Sequence, residues 1–255
     1  MDTMADWLEN LGTRPHRYFE RIGSTNDEAA AWARAGCAPG AIVIADEQLA
    51  GRGRHGRVWR AAPGAALLMS MVLRPRLAPA QLPRVALMGA VALAEALTAA
   101  GVQPGIKWPN DVLIAGCKVA GILPEAIWEG DRLIAVVLGL GVNIRRAALS
   151  PDEARAFHAT TLEDHLAASL DRGAFLQLLL PRLDMWAEKL QDEALLDAWR
   201  AYSVTLGRTV RVQAGDEQWQ GMAEDIDDAG ALILRLADGT EKRVVAGEVT
   251  LGRVK

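Results

Sequence analysis

The chain has 255 residues, of which 51% are apolar and 24% charged, with a net charge of −4. That length suits one substantial domain with a small appendage, and no apolar run reaches the roughly 20 residues that a membrane span requires. The mildly acidic balance argues against a protein built to coat a long polyanion, which needs basic side chains spread over a broad face.

In chain order, Thr25–Arg34 reads as a helix, with Thr25 and Glu28 spaced for a capping box. Residues 41–45, preceded by Pro39-Gly40, read as a short buried strand, and Ala66–Leu73 as another that Pro75 ends. From 78 to 100, Leu82, Val85, Met88, Ala92 and Leu93 keep helical spacing and predict a core helix. Strands follow at 104–108, 112–115, 118–127 and 133–140, joined by Pro-Asn, Ala-Gly and Glu-Gly-Asp turns. Residues 150–202 read as charged helix that Pro181 should kink or divide. Past Gly207 the texture changes to short alternating strands at 209–212, 218–223, 231–236 and 242–245. The pattern predicts an α+β domain over 1–206, its mixed sheet covered by helices, and a small β-barrel over 207–255.

The densest chemistry lies at 51–59, Gly-Arg-Gly-Arg-His-Gly-Arg-Val-Trp. Glycines let backbone N–H groups approach a ligand, arginines offer a planar charged fork for phosphate or carboxylate, and Trp59 can stack on a planar base. Three further segments carry polar groups at strand ends and turns: Lys107-Trp108-Pro109-Asn110-Asp111, Lys118 to Leu123, and Gly139-Leu140-Gly141-Val142-Asn143. Each taken singly also reads blandly, as surface lysines, a turn and a β-bulge. Cys37 and Cys117 form no C-x-x-C pair, and His16, His55, His158 and His165 lack metal-ligand spacing, so no dedicated metal site is expected. Residues 1–10 are acidic, without the basic start and apolar middle of a secretory signal, which predicts cytoplasmic residence.

In this order, Ser24-Thr25-Asn26, the Gly-Arg loop, the Lys107 segment, the Lys118 segment and Asn143 together resemble the biotin–protein ligases. The likeness is close over roughly 22–143 and looser across the C-terminal strands. It implies a class II synthetase-like catalytic fold, an SH3-like C-terminal barrel, and a two-step reaction: biotin and ATP give biotinyl-5′-AMP, and a carrier lysine then takes the biotinyl group. Ser24, Thr25, Asn26 and Gln48 match biotin-pocket positions, with Arg52, Gly53, Arg54 and Lys118 also reaching biotin. Arg52, Arg54, Arg57, Trp59, Lys107, Asn110, Asp111, Lys118 and Asn143 match the ATP and adenylate side. Lys118, Arg54 and Asp111 carry the implied catalytic roles, with Lys118 stabilising charge between carboxylate and α-phosphate.

The resemblance further implies ATP with Mg²⁺, a biotin carboxyl carrier domain of acetyl-CoA carboxylase or a related carboxylase as acceptor, and a homodimer through a sheet edge in some relatives. No winged helix fits the short stretch before Ile22, so no DNA binding is expected. The chain departs from the family's more basic loop at His55, and Leu49 adds an apolar group beside Gln48. Two rival readings are a lipoate–protein ligase-like acyltransferase, separable by lipoate dependence, and a non-enzymatic nucleic-acid module, separable by steeply salt-dependent oligonucleotide binding.

Overall fold

The computed structural model describes residue 8 and residues 11–156, 158–167 and 170–252. The acidic start falls outside these apart from Leu8. Seven strands form the main sheet: β1 (His16–Ile22), β2 (Ile42–Gln48), β3 (Ala66–Leu73), β4 (Pro104–Lys107), β5 (Asp111–Ile114), β6 (Cys117–Glu129) and β7 (Arg132–Asn143). Their order is β1-β2-β3-β7-β6-β5-β4. β1 and β2 run parallel, joined by helix α1 (Thr25–Arg34), and every other neighbouring pair is antiparallel. β1 escaped sequence reading because it lies at the sheet edge, where charged residues such as Arg17, Glu20 and Arg21 interrupt any apolar run.

Helix α2 (Arg84–Ala99) starts later than the spacing predicted, after a 3₁₀ turn at Pro79–Gln81 and the helix-breaking Pro83. Residues 79–99 are long and apolar enough to cross a membrane by composition, yet 72% of the apolar 18-residue window within them is buried inside the fold. The helix is a core element, packed between one face of the sheet and the later helices. After the short α3 (Pro151–Ala156), helices α4 (Arg172–Glu188) and α5 (Glu193–Tyr202) cover the outer side of α2. Pro181 does not divide α4; the break falls at 189–192 instead. An interior proline costs about 3 kcal/mol, whereas burying Phe175, Leu176, Leu179, Leu180 and Leu183 stabilises the docked helix by about 1.5–3 kcal/mol each.

The sheet's other face creates the site. Along β7, Val136, Leu138, Leu140 and Val142 face α2, so Gly139, Gly141 and Asn143 face the opposite side, where α1 packs. The glycine pair is not a bulge: β3 and β6 pair with β7 without interruption there. A real irregularity lies in β6, where Val112 opposes Ala120 and Leu113 opposes Lys118, leaving Val119 unmatched. That extra residue shifts the alternation and brings Lys118 onto the same face as Gly121.

The C-terminal strands β8 (Thr209–Ala214), β9 (Glu217–Ile226), β10 (Leu232–Leu236), β11 (Glu241–Val244) and β12 (Glu248–Leu251) form an antiparallel sheet in the order β11-β10-β9-β8-β12. β8 alternates exposed and buried residues, with Val210 and Val212 inside. β12 was not anticipated: it is four residues long, and only Val249 among them is buried.

Candidate active site

Every position singled out in the sequence as a ligand contact lines a single cavity of about 790 Å³. Its walls are the start of α1, the Gly-Arg loop, β5 to β7, the segment around α3, and β12 of the C-terminal sheet.

At one end, Ser24, Thr25 and Asn26 are buried although all three are polar. For Thr25 and Asn26, hydrogen bonds explain how. The Thr25 backbone N–H and hydroxyl donate to Gln48 Oε1 at 2.8 and 3.0 Å. Ser70 Oγ donates to Asn26 Oδ1 at 2.6 Å and lies 2.8 Å from Thr25 Oγ1. Asn26 Nδ2 donates to Glu125 Oε2 at 2.7 Å and to the Leu123 carbonyl at 3.3 Å. The capping box read from Thr25 and Glu28 does not form: Ser24 occupies the N-cap position, Thr25 turns to Gln48, and Glu28 pairs with Arg17. Gly139 is required for this packing, since a β-carbon there would run into the Asn26 amide, 2.9 Å from both Cγ and Nδ2.

Beyond this cluster the indole of Trp59 lies flat on the sheet. A β-carbon on Gly141 would sit 2.6 Å from Trp59 Cε2, and one on Gly121 would sit 3.1 Å from Cζ3, so the glycines of β6 and β7 make the seat. Lys118 Nζ is 5.6 Å from a Trp59 ring centroid, within cation–π range. The same ammonium is 2.6 Å from Asp111 Oδ1, and Lys107 Nζ is 3.7 Å from Asp111 Oδ2. Arg54 Nη1 donates to Asn110 Oδ1 at 2.9 Å, and Asn110 Nδ2 donates to the Ile122 carbonyl at 2.9 Å. Burial pushes the Arg54 guanidinium down from its ordinary value, with the Asp111 charge opposing; an arginine still stays cationic at neutral pH.

Two buried polar atoms on the cavity wall, Trp59 Nε1 and Asn143 Oδ1, have no partner among the described residues. Unpaired buried groups of this kind are uncommon in folded proteins and suit donation and acceptance to a ligand. The other Asn143 atom, Nδ2, donates to the Thr160 carbonyl at 3.2 Å.

The Gly-Arg loop is tied down at both flanks. Arg52 forks onto Asp27 at 2.9 and 2.6 Å and reaches Glu125 at 3.3 Å. The Arg52 hydrogen bond holds the Asp27 carboxyl below the usual carboxylate range. Arg57 forms an ion pair with Glu248 of β12, and the Gly53 N–H donates to the Arg57 carbonyl at 2.8 Å, closing the turn. His55 and Leu49 are both exposed.

Sequence reading missed Ser70, Asp27, Glu125 and Glu248. Ser70 left a signal, as the single polar residue in the apolar run Ala-Leu-Leu-Met-Ser-Met-Val-Leu. The three carboxylates left none, because their partners are distant in sequence.

The chain matches the Biotin/lipoate A/B protein ligase family over residues 18–143 and the Biotin protein ligase C terminal domain over 205–252. It is 40% identical to the biotin–[acetyl-CoA-carboxylase] ligase of Paracoccus denitrificans, across 91% of this chain and 98% of that one. The chain belongs to the biotin–protein ligase family. The corresponding Mycobacterium tuberculosis ligase is 38% identical over 93% of this chain and 89% of its own. The Bacillus spizizenii bifunctional ligase/repressor BirA is 34% identical, with 92% of this chain aligned to 73% of that protein. The ligase fold is shared with the Aquifex aeolicus biotin protein ligase solved in complex with biotin and ATP, at a TM-score of 0.79 and 24% identity over 94% of this chain and 99% of that one.

Proposed function

We propose that the protein activates biotin with ATP and transfers it to a lysine of a biotin carboxyl carrier domain of acetyl-CoA carboxylase or a related carboxylase, in the cytoplasm. In the first step a biotin carboxylate oxygen bonds to the α-phosphorus, the bond to the β-phosphate's bridging oxygen breaks, and pyrophosphate leaves. In the second the carrier amine bonds to the acyl carbon, the acyl–phosphate bond breaks, AMP leaves and the amine loses a proton. The supporting observation is that the buried amide-hydroxyl cluster at Ser24, Thr25 and Asn26 opens into the same cavity as the Arg54, Lys107 and Lys118 cations.

The hydroxyl and amide groups of Ser24, Thr25, Asn26 and Gln48 suit the ureido ring, and Thr25, Asn26 and Gln48 are held by protein partners of their own. Arg52 and Gly53 close the loop over the valeryl carboxylate. Arg54 and Lys118 bring positive charge to where two anions must meet, and a preorganised ammonium stabilises charge that develops in the transition state. Asp111 holds Lys118 at 2.6 Å and is the carboxylate we assign to receive the carrier amine's proton. Trp59, Arg57, Lys107, Asn110 and Asn143, all on the cavity's lining, take the nucleotide.

Among the described residues no cluster of His, Cys, Asp and Glu gathers to hold a metal. Magnesium is commonly held by one or two protein oxygens plus substrate phosphates, and the Asp111 and Asn143 oxygens on the cavity wall are donors of that chemistry. Bound with ATP, it supplies neutralisation of phosphate charge. We also take the chain to divide near 206, into a catalytic unit and an SH3-like barrel, since the segment before β8 is where the main fold ends. Intact-mass analysis of a carrier domain incubated with the protein, biotin, ATP and Mg²⁺ tests the reading. A single biotinyl addition is expected. Absence of both this addition and biotinyl-AMP would overturn it.

A further inference from the structure

The Lys107 to Asp111 turn is held from behind by the C-terminal part of the chain. The connection after α5 runs along the free edge of β4, where the Val204 N–H donates to the Ile106 carbonyl at 2.9 Å. A β-carbon on Gly105 would collide with the Val204 side chain, so the two backbones are in close contact. The next residue, Thr205, is fully buried, and its Oγ1 accepts from the Trp108 backbone N–H at 2.9 Å.

Trp108, also on the cavity's lining, is 1% exposed, and its Nε1 donates to the Gly230 carbonyl at 3.1 Å. Gly230 closes the β9–β10 turn, which is itself well fixed. Asp227 Oδ1 accepts from the N–H groups of Ala229 and Ala231, and the Gly230 N–H donates to the Asp227 carbonyl. Arg84, buried at the start of α2, adds a clamp by donating to the Asp228 carbonyl at 3.2 Å. At Gly230 φ is +85°, and a β-carbon would lie 2.8 Å from Leu87 Cδ1, so the turn is seated against α2 with no slack.

Two residues beyond Trp108, Asn110 holds Arg54; one further, Asp111 holds Lys118. We infer that Trp108 is a positioning residue, through which Thr205 and the β9–β10 turn of the C-terminal sheet set the Asn110–Asp111 turn and thereby place Arg54 and Lys118. A displacement of the turn would act on both cations, since Asn110 bonds Arg54 and Asp111 pairs with Lys118. The route is separate from the Arg57–Glu248 ion pair, which joins the same two parts of the chain through the loop. The inference deepens the ligase reading and rests on it for its kinetic test.

Three variants test it: Thr205→Val, which removes the acceptor at nearly constant volume; Thr205→Ser, which keeps the hydroxyl; and Trp108→Phe, which removes only the indole donor and part of the ring. Biotinyl-AMP formation and amide hydrogen exchange are measured on each. Thr205→Val and Trp108→Phe are expected to lower kcat for adenylate formation at least tenfold and to raise exchange across residues 107–123. Biotin affinity without ATP and exchange across α2 should stay as in the parent, and Thr205→Ser should remain within about threefold of it.

Unchanged kcat and unchanged exchange at 107–123 in Thr205→Val and Trp108→Phe would overturn the inference, as would equal losses from Thr205→Val and Thr205→Ser. If the parent forms no biotinyl-AMP, the ligase reading fails, and the exchange pattern still decides whether the C-terminal turn governs the Asn110–Asp111 turn.

Discussion

Replacing Gly139 by alanine should damage biotin binding through a residue it does not itself present to ligand. The added β-carbon would come within 2.9 Å of the Asn26 Cγ and Nδ2 atoms and closer still to Oδ1. Asn26 cannot yield without giving up its bonds with Ser70, Glu125 and the Leu123 carbonyl. At about 1 kcal/mol per hydrogen bond that is about 3 kcal/mol, and overpacking adds about 1–3 kcal/mol. The sum, roughly 4–6 kcal/mol, is a large part of a folding stability of about 5–15 kcal/mol. For a chain of this size the midpoint of thermal unfolding should fall by about 8–24 °C.

Biotin affinity, measured by titration calorimetry below the new midpoint, should fall at least tenfold, the equivalent of one lost hydrogen bond of about 1.4 kcal/mol. The decisive arm is a double-mutant cycle with Asn26→Ala, which removes the amide that Gly139 makes room for. In that background Gly139→Ala should cost only about 1 kcal/mol. An equal cost in both backgrounds would refute the argument that the glycine exists to admit Asn26.

Other outcomes follow from the same geometry. Lys118→Ala should reduce biotinyl-AMP formation about 10²–10³-fold while leaving biotin binding within a few-fold; a variant with full adenylation would remove Lys118 from the first step. Asp27 has a folded-state pKa below its ordinary 3.8 because Arg52 hydrogen-bonds the carboxylate. The stabilisation it contributes is therefore present above that ordinary value and lost as pH falls through the lowered one. Amide exchange at Arg52 and Gly53, relative to β7, should rise in that acid window, and Asp27→Asn should abolish the inflection. The Gly-Arg loop, exposed at Arg52, His55, Arg57 and Val58, should be cut readily by trypsin in the free protein and protected by biotin with ATP. Equal cleavage in both states would count against ordering by ligand.

The helix Thr25–Arg34 and the buried strand Ala66–Leu73 were legible because their patterns are local: an alanine-rich run behind a polar start, and an apolar segment broken only by Ser70 and long enough for one strand. The α+β class followed from adjacent strands separated by short turns, and the family resemblance from five motifs in a fixed order. β1 was not legible, since an edge strand half exposed to solvent need not show an apolar pattern. Nor was the course of α4 through Pro181, because the cost of one proline is local while the burial that outweighs it belongs to the packed helix face.

The sequence by itself determined which residue types could serve the chemistry, since charge, fork geometry and hydroxyl content are properties of side chains. Only the tertiary structure decided which face they occupy and what holds them. An unmatched Val119 brings Lys118 onto the cavity side of β6, and glycines at 139 and 141 are demanded by Asn26 and Trp59 from remote segments. Trp108 is anchored by residues 97 and 122 positions away. Strand alternation has a period of two, so one extra residue reverses a side chain's destination, and the partners that fix it meet only after the chain has folded.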